Sequence, residues 1–330
     1  MDRRRFLFAA AAASAAPSIV RAQEALRVVA FAGASNWPFW VAERKGLFEA
    51  AGVRPSLEIT PNSVELARNL NAGRFDLALT AVDNIVAYNE GQGEADLAGP
   101  ADFVALFGVD NGLLSLMTGG TIASFADLRG KTLSVDAMTT GFAFVLRELL
   151  ARNGIAESDV RIVRVGGGAQ RLEALLKNEQ DATLLNAPLD LVAEGRGFRR
   201  LVRVSEALGA YQGIVGATRR AAAASDADRL TGFVRGFHAG VRWLAEPGNR
   251  EEALAILMER QRGMERPGAE AAYRVLLDAN SGIYRDLRID RAGLGTVVRL
   301  RQTYAQPAKT LGNPERYIDE SIRRHALGVS

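Results

Sequence analysis

The chain has 330 residues, of which 41 are Lys or Arg, 38 are Asp or Glu and 48% are apolar, with no cysteine. This composition is that of an ordinary globular protein, and it excludes collagen-like, low-complexity and disulfide-rich classes. Because the only histidines are His238 and His325, Cys/His zinc sites, iron–sulfur clusters and cysteine redox chemistry are excluded as well. At this length one core usually becomes two, so we expect two lobes.

The first 22 residues have the features of an export signal. A cationic start, DRRRFL at residues 2–7, precedes a short alanine-rich apolar run that ends at VRA, residues 20–22. The run is too short to span a bilayer, which takes about 20 apolar residues. Its paired arginines followed by Phe6 and Leu7 resemble a twin-arginine signal. We predict that residues 1–22 are a twin-arginine signal peptide; an uncleaved N-terminal helix is the alternative.

Removing residues 1–22 balances the charge of the chain. Four arginines and one aspartate leave with that segment, so 37 basic and 37 acidic side chains remain. The remainder has no basic block and no alternation of Arg with aromatic residues, which phosphate neutralisation and base stacking would need. We therefore expect no nucleic-acid partner.

Strand-like and helix-like segments alternate after the signal. Apolar runs predict strands at residues 26–32, 57–60 and 75–80, and helical spacing of apolar residues predicts helices at 39–51, 64–72 and 83–89. Continuous apolar strands that alternate with helices indicate a parallel sheet covered on both faces.

A second unit of the same kind follows two strands, at residues 103–109 and 113–118, that are predicted to leave the first lobe. After Gly119-Gly120 the pattern predicts strands at 131–136, 160–165 and 182–185, and helices at 140–153, 169–178 and 189–194. Residues 214–218 predict a strand that returns to the first lobe, and everything after Ala224 has helical character. We therefore assign residues 23–118 and 214–330 to lobe I and residues 119–213 to lobe II.

Polar residues follow the predicted strands of lobe I, where ligands bind in open α/β sheets. Ser35 and Asn36 offer donors and acceptors after the first strand, and Trp37 offers a flat apolar wall. Thr80 and Asp83 follow the third strand and are suited to a ligand's polar or amino groups. The structural alternatives are helix capping for the polar residues and a core position for Trp37.

Lobe II has its own strand-end residues. Thr139, Thr140 and Gly141 join a predicted strand to a helix, where hydroxyls, free amides and the positive end of the helix dipole suit a small carboxylate or sulfonate. Capping by one threonine would use a hydroxyl and leave the amides available. Asn186 follows another strand, either as a ligand donor or as the cap of a helix that begins at Pro188.

No cofactor or metal site is predicted. The segment Gly166-Gly167-Gly168 precedes a helix but lacks both the Gly-Lys-Ser/Thr ending and the dinucleotide spacing. Gly130-Lys131-Thr132 has that ending, but Phe125 stands where the first glycine is required. His238 lies on a predicted helix with no second ligand nearby in sequence, so we interpret it as structural.

Three segments together carry a family resemblance: WPFWVAERKGLFE at residues 37–49, GRFDLA at 73–78 and DLRGKTLSV at 127–135. In their order and spacing, with the export signal, they resemble the nitrate/sulfonate/taurine and pyrimidine-precursor branch of periplasmic solute-binding proteins of ABC importers. The likeness runs over nearly the whole mature chain. It implies the α/β fold of type II periplasmic binding proteins, with two lobes that each have a central, mostly parallel sheet flanked by helices.

The resemblance also implies a function. A protein of this kind is a periplasmic monomer that closes on a small-molecule ligand, delivers it to an ABC permease in the inner membrane and performs no chemistry on it. The family's ligand loops fall here on four segments: Ser35 to Trp37, Thr80 to Asp83, Thr139 to Gly141, and Asn186.

The class of ligand stays open between two alternatives. The threonines favour a small organic anion such as a sulfonate, taurine or a carboxylate, whereas Asp83 with Trp37 favours an amine or a heterocycle such as a pyrimidine vitamin precursor. We take the anion as the first prediction. An enzyme of the lyase or dehydratase type is a further alternative, with Asp83 and Asp136 as its carboxylates, although the cysteine-containing segment of the related synthases is absent. A sensor partner for a membrane receptor would use the same lobes.

Overall fold

The computed structural model describes residues 25–279 and 281–329, which form two five-stranded sheets flanked by helices. The predicted signal peptide lies outside these residues. The strands are β1 Leu26–Ala30, β2 Pro55–Ile59, β3 Leu77–Ala81, β4 Phe103–Gly108, β5 Leu114–Thr118, β6 Thr132–Val135, β7 Arg161–Arg164, β8 Ala182–Asn186, β9 Arg199–Arg203 and β10 Ile214–Arg219. The helices are α1 Trp37–Arg44, α2 Leu47–Ala50, α3 Ser63–Asn71, α4 Val82–Asn89, α5 Gly141–Arg152, α6 Gly168–Leu176, α7 Leu189–Gly195, α8 Val204–Leu208, α9 Arg220–Ser225, α10 Ala227–Ala245, α11 Arg250–Arg260, α12 Arg266–Leu276, α13 Arg291–Tyr304 and α14 Ser321–Leu327.

The two sheets have the same design. The first has the order β2-β1-β3-β10-β4 and the second the order β7-β6-β8-β5-β9. In each sheet one strand, β10 or β5, runs antiparallel to both of its neighbours, and the remaining strands run in a common direction. The predicted α/β class with two mostly parallel sheets is confirmed.

The reversed strand of each sheet is the one that has crossed from the other lobe. Because β5 pairs with β8 and β9, the first crossing comes before Leu114 rather than after Thr118, as the sequence had indicated. The glycines that make the crossing are Gly112 and Gly213, since a Cβ added to Gly213 would lie only 1.9 Å from the Gly112 nitrogen. The two crossing segments therefore pass each other as bare backbone, and we propose residues 109–113 and 209–213 as the hinge.

Two parts of the chain differ from the sequence prediction. The strand β9 and the helix α8 were not predicted. Three of the five residues of β9 are arginine, so this edge strand lacks both a continuous apolar run and a strict alternation of apolar and polar residues. The region after Ala224 was predicted to be wholly helical, but long non-helical connections follow α12 and α13. Among the residues described, no helix has both the length and the apolar character that crossing a bilayer would require.

Candidate functional site

The carboxyl ends of the parallel strands in the two sheets face each other, and the loops that follow them meet in three pairs. In the first pair, after β1 and β8, the Ala34 amide donates to the Ala187 carbonyl at 3.4 Å. In the second pair, after β2 and β7, the Gly167 amide donates to the Pro61 carbonyl at 2.8 Å. The lobes are therefore closed on each other, and we call the space bounded by the three loop pairs the cleft.

The third pair, after β3 and β6, is built around Asp83. Arg301 of α13 donates through Nε to Oδ1 of Asp83 at 2.7 Å and through Nη2 to Oδ2 at 2.5 Å. The same Nη2 donates to the Thr139 carbonyl of lobe II at 2.8 Å, and the guanidinium lies 4.9 Å from the centre of the Phe144 ring. A Cβ added to Gly141 would come 2.5 Å from the Cβ of Asp83. Asp83 and Arg301 are both essentially inaccessible to solvent, so this is a buried ion pair at a lobe contact.

Glu94 of lobe I makes a second charged contact with the start of α5. Its Oε1 accepts the Thr139 amide at 3.0 Å, and its other oxygen pairs with Arg164 of lobe II. Sequence reasoning missed both Glu94 and Arg301, because neither belongs to a motif and each meets its partners across a long stretch of chain. At the predicted anion site, the Glu94 carboxylate thus accepts the Thr139 amide, and the Asp83 side chain packs against Gly141.

Thr140 performs the capping role that was its structural alternative. Its Oγ1 accepts the Ala143 amide at 3.4 Å and donates to the Ala137 carbonyl at 3.0 Å. The hydroxyl is therefore already engaged by its own loop and helix.

Asp136, at the end of β6, lies between the lobes with unused hydrogen-bonding capacity. Its Oδ2 accepts the Ser63 amide at 3.1 Å. The Asp136 Oδ1 and the Ser63 hydroxyl are buried, and neither has a hydrogen-bond partner among the described residues. Nearby, Arg171 donates only to the carbonyls of Gly166 and Leu184. Burial lowers the pKa of the Arg171 guanidinium, and the Asp136 carboxylate opposes that shift.

Ser35 ties the β1 loop to the hinge. Its hydroxyl donates to Oδ2 of Asp110 at 2.6 Å, while Oδ1 of Asp110 accepts the amides of Gly112 at 2.7 Å and Ile214 at 3.2 Å. Burial raises the pKa of the Asp110 carboxyl, and these hydrogen bonds oppose the rise. The Ser35 hydroxyl is thus held by the crossing segments.

Two further predicted site residues are engaged within lobe I. The Asn36 amide donates to the Phe31 carbonyl at 2.8 Å, and the Thr80 hydroxyl accepts the Asn84 amide at 2.9 Å. All three polar side chains are buried. They shape the strand-end loops of lobe I from within.

Trp37 and Asn186 have opposite environments. Trp37 is fully buried in the core and packs edge to face on Tyr273, with ring centres 6.1 Å apart. The Asn186 side chain is partly exposed between the lobes: a Cβ on Gly33 would lie 2.7 Å from its Nδ2, and one on Gly168 would lie 3.2 Å from its Oδ1. Its amide has no hydrogen-bond partner in the described part of the chain, so it is available to a ligand.

The charged groups around the cleft balance. Three carboxylates and three guanidiniums surround it: Asp83, Glu94 and Asp136, with Arg164, Arg171 and Arg301. Two of the carboxylates are in direct ion pairs, and the third lies near Arg171. In the described residues no group of three or more His, Asp or Glu side chains is placed to hold a metal ion.

A family model described as NMT1/THI5 like matches residues 34–250, more than half of the chain. The chain belongs to this family. The match runs from the loop after β1 to the start of α11 and confirms the resemblance seen in the sequence. No curated protein matches the chain significantly.

Solved structures share the fold over nearly the whole described chain. The periplasmic nitrate-binding protein NrtA from Synechocystis is 13% identical with a TM-score of 0.75, and the alignment covers 93% of this chain and 89% of NrtA. The periplasmic aliphatic sulphonate-binding protein SsuA from Escherichia coli is 19% identical with a TM-score of 0.64, covering 85% and 91%. The ligand-binding component of an ABC-type import system from Staphylococcus aureus, with zinc bound, is 14% identical with a TM-score of 0.72, covering 92% and 99%. At these identities the similarity establishes the periplasmic binding protein fold.

Proposed function

We propose that the chain is the extracytoplasmic solute-binding protein of an ABC importer, a periplasmic monomer exported by the twin-arginine route. It would capture a small organic molecule between its lobes and deliver it to the permease in the inner membrane. The observation that carries the proposal is the meeting of strand-end loops from two sheets in three pairs, where open α/β sheets bind ligands. Membership of the NMT1/THI5-like family and the shared fold support it.

The cleft chemistry bears on the class of ligand. The sequence favoured a small organic anion at the start of α5, but Glu94 and Asp83 already lie there, each paired with a guanidinium. A further anion would meet these two carboxylates, and the donors left for it are the buried Nη1 of Arg301 and the Arg171 guanidinium, which bonds only to carbonyls. The buried Oδ1 of Asp136 instead lacks a donor, which is costly to leave unsatisfied.

The geometry therefore favours a ligand with an N–H donor and little net charge. A nitrogen heterocycle of the aminopyrimidine type meets this requirement, and so does a zwitterionic aminosulfonate of the taurine type. Both belong to the ligand classes considered from the sequence, whereas simple sulfonates and carboxylates lack the donor. Asn186, with a free amide on the same cleft, would supply a second contact.

We propose no catalytic role for the two candidate carboxylates. Both oxygens of Asp83 accept hydrogen bonds from Arg301, so Asp83 is not free to exchange a proton with a substrate. Asp136 has one free oxygen, but among the described residues no second acid or base forms a hydrogen bond with its carboxylate. Binding without turnover is the expected behaviour.

Calorimetric titration with matched ligand pairs tests the proposal. We expect taurine to bind more tightly than ethanesulfonate, or an aminopyrimidine more tightly than the parent pyrimidine, by about tenfold to hundredfold, since a hydrogen bond to a charged group contributes about 1.5–3 kcal/mol. Asp136→Asn should remove that difference, while Asp228→Asn, a change at an exposed aspartate on α10, should keep it. Tighter binding of ethanesulfonate or nitrate would instead support the prediction that the ligand is an anion. No binding within either pair would contradict the solute-binding role.

A further inference from the structure

A second cavity lies outside the cleft, beside the first crossing segment. It has a volume of about 330 Å³, within the range of small-molecule sites. Its walls come from four places: the crossing segment and the start of β5, Asp190 of α7, the strand β9 with the start of α8, and the end of α12 with the turn that follows it. Among the described residues that line it, none belongs to the three loop pairs of the cleft. We call it the crossing cavity.

Two of the three carboxylates that line the crossing cavity already have donors. Asp190, which is buried, accepts the Ser115 hydroxyl at 2.8 Å and Nη2 of Arg200 at 3.2 Å through one oxygen, and the Leu191 amide at 2.8 Å through the other. Asp278 accepts both the amide and the hydroxyl of Ser281 at 2.8 Å. The third, Glu206, is exposed and contacts only Arg203 through one oxygen, so the buried acceptors of the wall are used and one exposed carboxylate remains at its rim.

The donors of the same walls are in surplus. Arg274 is exposed at the rim, and no hydrogen bond or ion pair joins it to another described residue. The Arg200 side chain is only 14% exposed, and its Nε is buried without a hydrogen-bond partner in the described chain. Arg203 makes one long contact, 3.4 Å, with Glu206. Arg200 also pairs through Nη2 with Asp190 and Glu194, so the donors left to the cavity are its buried Nε, the Arg274 guanidinium and the nitrogens of Arg203 that do not contact Glu206.

The backbone of this wall is also unusual. Leu113 adopts a φ of +46°, a left-handed conformation that a non-glycine residue rarely takes. The Oδ1 of Asn111 accepts the Leu113 amide at 3.0 Å and holds it there. Strained backbone of this kind clusters at ligand sites when the surrounding structure over-determines it, and here it forms the floor of the cavity.

We propose that the crossing cavity is a second binding site, for a small organic or inorganic oxyanion such as a dicarboxylate or phosphate. Its oxygens would accept hydrogen bonds from Arg274, Arg203 and Arg200, because guanidinium groups match the geometry of carboxylate and phosphate. Since Arg274 belongs to the helices of lobe I and the other two to lobe II, the bound oxyanion would bridge the lobes beside the hinge. The site does not depend on the identity of the cleft ligand.

Titration of the full chain with succinate, inorganic phosphate and the neutral isostere succinamide tests this site. We expect one of the oxyanions to bind and succinamide not to bind. Arg274→Ala should weaken binding by about tenfold, as expected for the loss of a charge-assisted hydrogen bond. Arg262→Ala changes another exposed arginine that makes no hydrogen bond or ion pair with a described residue. It should leave the affinity within about twofold, because an isolated surface charge contributes little.

Hydrogen exchange locates the binding. We expect protection of peptides that span residues 111–115 and 200–206. Absence of oxyanion binding, equal weakening by both arginine variants, or protection confined to the cleft residues 136–141 would each overturn the proposal. Because the probes and the protected peptides differ from those of the cleft, this outcome is independent of the test of the solute-binding role.

Discussion

Asp83 connects the two lobes through Arg301. It was predicted as a ligand contact from its place after a strand, yet both of its oxygens accept hydrogen bonds from a guanidinium 218 residues away in the chain. That guanidinium also binds the Thr139 carbonyl across the lobe contact. A ligand in the closed cleft therefore meets an ion pair at this point rather than a free carboxylate.

Replacing Arg301 should leave a buried charge without its partner. We expect Arg301→Met to lower the free energy of unfolding by about 3–5 kcal/mol, the usual cost of breaking a buried ion pair. Arg299→Met removes an arginine of the same helix whose pair with Glu148 is 3.5 Å long and half exposed, so it should cost less than about 1 kcal/mol. Urea denaturation of both variants measures the difference, and similar losses would contradict the role given to Arg301.

His238 predicts a pH dependence of stability. Burial lowers its pKa from the ordinary value of 6.5, Arg242 adds to the lowering, and the hydrogen bond to the Arg285 carbonyl and the charge of Asp286 oppose it. The unfolded chain therefore takes up the proton at higher pH than the folded chain, so this contribution to stability is present above about pH 6.5 and is lost as the pH falls. Denaturation at pH 7 and pH 5 should show a smaller decline for His238→Gln than for the parent; equal declines would contradict the assignment.

The candidate site could be predicted by position more readily than by residue. The positions after strands predicted Asp83, Thr139, Gly141 and Asn186 as ligand contacts, and the structure places them where the two lobes meet. That prediction depends only on the alternation of strands and helices. It could not distinguish a side chain that faces the cleft from one that faces the core. Trp37 was therefore predicted to face a ligand, whereas it packs in the interior.

At the scale of elements, close helix packing around α10 depends on glycines spaced four residues apart. A Cβ on Gly240 would lie 2.2 Å from the Pro38 carbonyl oxygen, one on Gly236 would lie 2.4 Å from the Phe48 ring, and one on Gly232 would lie 2.9 Å from the Ala51 carbonyl oxygen. These three positions share one face of the helix. Without side chains at these positions, the backbone of α10 can pack directly against α1 and α2.

Alanine at these glycine positions of α10 should therefore lower stability, even though alanine has the higher helix propensity. In an open helix, Gly→Ala stabilises by about 0.5–1 kcal/mol, and we expect this for Gly295→Ala on α13, where a Cβ would meet nothing within 4 Å. Gly240→Ala should instead destabilise by about 1–3 kcal/mol, because a backbone carbonyl must move. Thermal unfolding of the two variants should shift in opposite directions; stabilisation by both would show that α10 can move away from α1 without cost.

The elements themselves were predictable wherever apolar periodicity was strong. The alternation from β1 to α7 follows from runs such as LALTA in β3 and ATLLN in β8. The strand β9 has three arginines in five residues, and its pairing with β5 comes from a neighbour distant in sequence. Tertiary contact, which no local pattern contains, decides such edge strands.

For the whole molecule, closure is the property that the contacts define. Two backbone hydrogen bonds, the Arg301 bridge and the Glu94 contacts join lobes that are covalently connected at the hinge. A binding protein must open to admit its ligand, and the ligand can shift the balance only by binding the two states differently. A ligand that binds between closed lobes binds more tightly when these contacts already favour the closed state.

Glu94→Ala tests this balance. The change removes the acceptor for the Thr139 amide and the partner of Arg164, both across the lobe contact, so we expect a larger radius of gyration in small-angle X-ray scattering of the unliganded chain. Glu173→Ala breaks an exposed pair with Lys177 within α6 and the residue after it, and its radius of gyration should match the parent. If both variants match the parent, Glu94 does not hold the lobes together. Because a ligand bound between the lobes depends on the closed population, the affinity for taurine or the aminopyrimidine should fall as the radius of gyration rises.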